Sequence, residues 1–136
     1  MQDIMYFVNE EKGIVVAKMT QEYVANALGE LYEKIGKTSK YQGTIVDRDV
    51  FDKFTQSIAA KAVCSEDDAF DVEIGKAIAR KKALAKLAVK KAKLCWAIAA
   101  IYNNETGRII NMAYRLESKA DDACDEVGNY VKEIFG

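Results

Sequence analysis

The sequence predicts an α+β domain: a small N-terminal antiparallel sheet with one helix, followed by long C-terminal helices. Three observations carry that expectation. Two β-branched and aromatic runs, residues 4–8 and 14–19, flank the polar stretch Asn9-Glu10-Glu11-Lys12-Gly13, whose glycine tolerates the positive φ of a hairpin turn. From Asp71 onward the chain is rich in Ala, Lys, Leu and Ile, all at home in helices, and contains no proline. With 136 residues, half of them apolar, one hydrophobic core is feasible. Residues 1–136 therefore read as a single domain, with a β-rich lobe and one helix over 1–64 and a long helical lobe over 65–136.

The elements follow in order. After the hairpin, Thr20 is placed to cap a helix on which Val24, Leu28, Leu31, Tyr32 and Ile35 recur at helical spacing, with Gly36 as its end. Lys37-Thr38-Ser39-Lys40 reads as loop and residues 43–46 as strand-like. Residues 50–64 are ambiguous, because Phe51, Phe54, Ile58 and Ala62 have helical spacing while residues 57–64 also suit a strand. We expect helix or turn first and a strand over 57–64. Ser65-Glu66-Asp67-Asp68 matches a loose capping box, with its acids where the helix dipole is positive.

Beyond it, Ile74, Ile78, Leu84, Leu87, Leu94, Ile98 and Ile101 keep an apolar face. An unbroken helix over residues 71–135 would extend about 98 Å, far too long for a domain of this size. The plausible break is Asn103-Asn104-Glu105-Thr106-Gly107, with Gly107 suited to a C-terminal cap. A helical hairpin results, the alternative being one rod paired in an oligomer. The last segment carries Ile109, Met112, Leu116, Ala120, Ala123, Val127, Tyr130 and Ile134 as a continuous apolar stripe.

Composition excludes several functions. There is no histidine, which removes Ser/His/Asp, Cys/His and His-metal sites together. Cys64, Cys95 and Cys124 have no CxxC spacing, and the glycines form neither a GxGxxG nor a P-loop. No metal, cofactor or catalytic residue is expected. No apolar run is long enough to span a bilayer, so a cytoplasmic protein without membrane contact is expected.

The net charge of −1 conceals segregation. Residues 76–93 hold eight basic side chains and no acid, whereas residues 117–136 hold six acids and two lysines. One reading is that the basic helix is solvated and lies beside the acidic one, forming rim ion pairs worth ~0–1 kcal/mol each. The other is that Lys82, Lys86, Lys90 and Lys93, spaced four, four and three, attract phosphate as point charges. Stacking and amide partners would add selectivity. The candidates are Phe70 and Trp96 for stacking a heterocycle, Asn103 and Asn104 as amides, and Arg48, Arg108 and Arg115 for phosphates.

Ala62, Cys64, Asp68, Phe70, Asp71, Gly75, Ile78, Ala79, Lys82 and Ala83 form a pattern that resembles one in small proteins of phages and integrated elements of Gram-positive bacteria. It implies a strand entering an acid-capped helix, with Phe70 anchoring the junction and Gly75 permitting close approach. The layout is similar to the first-described Thoeris anti-defence family. That resemblance implies a non-enzymatic homo-oligomer that sequesters a small nucleotide-derived ligand, a cyclic ADP-ribose-type signal, and so starves a bacterial immune effector. None of that family's ligand residues transfers to this chain, and a lysine-dominated helix departs from the arginines a phosphate site would prefer. The alternatives are a phage accessory protein that binds nucleic acid through the basic helix, or one that docks on a host protein.

Overall fold

The computed structural model describes residues 4–38, 53–64, 69–101 and 106–135. Strands β1 (Met5–Asn9) and β2 (Ile14–Met19) form the hairpin and are followed by helix α1 (Gln21–Thr38), strand β3 (Ile58–Val63) and two long helices, α2 (Val72–Ile101) and α3 (Thr106–Phe135). The α+β layout is thus as the sequence predicts. The sheet is antiparallel throughout, in the order β1-β2-β3.

The hairpin turns where Gly13 takes φ +65°, its amide donating to the Glu10 carbonyl at 3.3 Å. Strand alternation then sorts the side chains. Val15, Ala17 and Met19 of β2 stand opposite Ala62, Ala60 and Ile58 of β3, and all six are buried on one face. The Thr20 hydroxyl accepts the Tyr23 amide at 3.1 Å and caps α1, whose Val24, Leu28 and Leu31 complete that side of the core.

Helix α2 lies between the sheet and α3. Gly75 and Ala79 let its backbone approach the sheet, and an added Cβ at Gly75 would stand 2.7 Å from Val15 Cγ2. Farther along, Leu94, Cys95 and Ile98 are buried within the same core, which also takes in Ala113 of α3. The hairpin is antiparallel, since Trp96 meets Tyr114 and Glu117 while Lys81 meets Tyr130. The apolar stripe of α3 is in place: Ala120 is buried, and Met112, Leu116, Ala123, Val127, Tyr130 and Ile134 are half-buried. The long helices therefore pair within the chain, and no single rod forms. Among the described residues no helix is long and apolar enough to cross a membrane.

Four local expectations are corrected. Helix α1 runs through Gly36 to Thr38, because glycine lowers helix propensity by about 1 kcal/mol without forbidding helical φ at a helix end. Helix α2 starts at Val72, and its cap is Asp71, whose carboxylate accepts the amides of Glu73 at 2.9 Å and Ile74 at 3.2 Å. Asp71 stands immediately before the first helical residue, and the Ser65-Glu66-Asp67-Asp68 box lies outside the described residues. Gly107 lies in the first turn of α3 instead of capping α2, since α3 already begins at Thr106. Leu84 is 37% exposed despite its helical spacing, because α2 turns its contact faces toward the sheet and α3. The expected strand over 57–64 is β3, and the strand-like residues 43–46 lie outside the described residues.

Candidate functional site

The basic helix is built against the outer edge of β3, which is an edge strand among the described residues. The Lys82 ammonium donates to the Lys61 carbonyl at 3.2 Å, Lys86 to Ala59 at 2.7 Å, and Lys90 to Phe54 at 3.3 Å and Gln56 at 3.5 Å. The fit follows from geometry. Four helical residues rise about 6 Å, and two strand residues about 6.7 Å, so lysines spaced by four keep step with alternate strand carbonyls. Charges on an edge strand block further pairing, and here the helix supplies them from the side.

Behind this row runs an open groove of about 840 Å³ between β3, α2 and α3. Ile58, Ala60, Ala85, Val89 and Val127 give it apolar surface, and Lys61, Lys82, Lys86, Lys90 and Lys93 supply five ammonium groups. No carboxylate belongs to its lining. An ammonium has three N–H donors, so a lysine that gives one to a carbonyl keeps two for an anion. At the end of the row, Lys82 also borders a smaller cavity of about 300 Å³, enclosed by Phe70, Ile74, Ile78, Val131 and Phe135 with Cys64 and Asp71.

Of the residues singled out from the sequence, the three whose side chains are described, Phe70, Trp96 and Arg115, do not share a cavity. Phe70 lines the smaller cavity. Trp96 lies about 36 Å farther along α2, half-buried, its indole N–H donating to Glu117 Oε2 at 2.9 Å and its ring edge-on to Tyr114 at 4.9 Å. That geometry ties α2 to α3. Arg115 is exposed and lines neither cavity. Arg48, Asn103 and Asn104 lie outside the described residues, as does the side chain of Arg108. The phosphate stripe Lys82, Lys86, Lys90 and Lys93 does share one wall, joined by Lys61, which the sequence reading missed. The signal for Lys61 is its place on an exposed position of alternating β3.

Two other basic side chains of α2, Lys76 and Lys81, have aromatic or acidic partners. The Lys76 ammonium sits 5.6 Å from the centre of the Tyr6 ring and 4.0 Å from Glu73, and Lys81 lies 5.0 Å from that of Tyr130. Burial pushes the Cys95 thiol up to about 11, which keeps it protonated and unreactive. Among the described residues no three His, Cys, Asp or Glu side chains are grouped to hold a metal. No family model matches the chain, and neither a curated protein nor a solved structure matches it.

Proposed function

We propose that the protein is a cytoplasmic, non-enzymatic homo-oligomer that captures a phosphate-bearing, nucleotide-derived signal in the lysine-walled groove and holds it without turnover. The observation that supports this is the groove lining, in which five ammonium groups and an apolar floor meet no carboxylate. A site of this polarity attracts an anion electrostatically and gives a heterocycle apolar surface to rest on. The likeness to the Thoeris anti-defence family narrows the ligand to the cyclic ADP-ribose class and the role to a phage sponge. The ligand contacts then fall on the lysine row, with Phe70 beyond Lys82, and do not draw on Trp96 or Arg115.

Calorimetric titration with cyclic ADP-ribose isomers tests the proposal, followed by heat release and mass spectrometry of the recovered ligand. Saturable binding, return of the intact molecule, and a loss of about tenfold or more in the Lys86→Glu/Lys90→Glu variant are expected. Absence of binding across the panel ends the reading. The even pitch of the lysine row favours a second reading, a nucleic-acid phosphate backbone. Its mark is binding to DNA that weakens steeply with salt and is lost in the same variant.

A further inference from the structure

The two edges of the sheet are built differently. The outer carbonyls of β3 are covered by Lys82 and Lys86. The opposite edge among the described residues is β1, Met5-Tyr6-Phe7-Val8-Asn9, which contains no charge, proline or glycine. Its register with β2 runs unbroken over all five residues, without a bulge. Met5, Phe7 and Val8 are 37%, 54% and 40% exposed. Edge strands ordinarily carry charge, proline or a bulge that prevents further pairing, and β1 has none of these.

We infer that β1 pairs antiparallel with β1 of a second copy of this chain, about a two-fold axis at Phe7, to make a continuous six-stranded sheet. The strand's own sequence identifies the occupant. A pair centred on Phe7 sets Phe7 opposite Phe7, Tyr6 opposite Val8 and Met5 opposite Asn9. The first two are aromatic–aromatic and aromatic–β-branched pairs, both of which stabilise antiparallel sheets. The two-fold axis repeats each pair, so the strand is matched by its own image, and within its five residues no charges meet. At the β3 edge two copies would instead bring two lysine rows together. Phe7 also stands beside Val16 on the sheet face away from the helices, and pairing extends that apolar column across the axis. With only five residues from each chain, the dimer forms as concentration rises.

This inference gives the proposed homo-oligomer a geometry and is tested without ligand, so it stands or falls apart from the groove. Sedimentation equilibrium of the full chain should show a reversible monomer–dimer equilibrium, weakened about tenfold or more by Phe7→Lys, with circular dichroism unchanged. Register is read by disulfide trapping in a Cys124→Ser background, which removes the exposed native thiol. Phe7→Cys should cross-link rapidly under oxidant, because paired strand residues fall within the Cα separation of about 4.4–6.8 Å that a disulfide needs. Val8→Cys, which faces Tyr6 of the other copy, should cross-link slowly. A wild-type protein that stays monomeric, association unaffected by Phe7→Lys, or Val8→Cys trapping as fast as Phe7→Cys would each overturn the inference.

Discussion

At Gly75 the absence of a side chain sets how closely α2 meets the sheet. An alanine there would place its Cβ 2.7 Å from Val15 Cγ2 and 3.4 Å from Val15 Cβ. Val15 is fully buried in the central strand and, being β-branched, has little rotamer freedom to move aside. Overpacking of this kind costs about 1–3 kcal/mol, and the gain of about 1 kcal/mol from replacing a helical glycine offsets only part of it. Gly75→Ala should therefore destabilise the fold by up to about 2 kcal/mol in urea. Gly128 of α3 has nothing within 4 Å of its added Cβ, so Gly128→Ala should gain up to about 1 kcal/mol. If both substitutions stabilise alike, contact with Val15 does not limit the approach. Cys95 makes a second prediction at this scale. Its thiol is raised from 9.0 to about 11 by burial, so above pH 9 the unfolded chain loses this proton more readily than the folded one. Stability should fall between about pH 9 and 11. The measurement is the difference in alkaline melting between the wild type and Cys95→Ala, which isolates this thiol and should show the smaller drop.

The element that distinguishes this fold is the lysine row laid on β3. Replacing Lys82, Lys86 and Lys90 by methionine keeps comparable apolar stems and removes the ammonium donors to β3 and to the segment before it seen among the described residues. These hydrogen bonds are largely exposed, so their combined loss should stay at or below about 1–3 kcal/mol in stability. The larger effect should be on association, because the bare β3 edge becomes a template for a further strand. Light scattering should show aggregates that the wild type does not form, and an unchanged triple variant would mean that other contacts guard this edge. The row also shows what a sequence conveys. Thr20, Gly13 and the apolar stripe of α3 were legible because caps, turns and periodicity act within a few residues. The lysine spacing was legible too, but its partner was not, since the match between helix rise and strand carbonyls arises only when α2 crosses β3. Trp96 suggested a stacking surface by residue type alone, and packing assigns it to Tyr114 and Glu117, 18 and 21 residues away in sequence from one helix to the next.

For the molecule as a whole, α2 is the member that joins every layer. Its first half packs on the sheet through Gly75, Ala79 and Ala83, and its second half carries Leu94, Cys95 and Ile98 into the part of the core shared with α3. Helix α1 touches both long helices, so none of these elements has a core of its own. That arrangement predicts one cooperative unfolding unit, with no separate opening of a sheet lobe and a helical lobe. The sharpest test perturbs one end and reads the other. Ile98 is 1% exposed and lies about 34 Å along α2 from Gly75, the residue that meets Val15. Ile98→Ala should cost about 2–5 kcal/mol by removing buried methyl groups and leaving a cavity. In native-state hydrogen exchange, the most protected amides of β2 should lose the same free energy as those around Leu94, although no β2 residue is near the substitution. Protection of β2 that stays at its wild-type level while the distal end of α2 weakens would show that the sheet and the far end of the hairpin open independently.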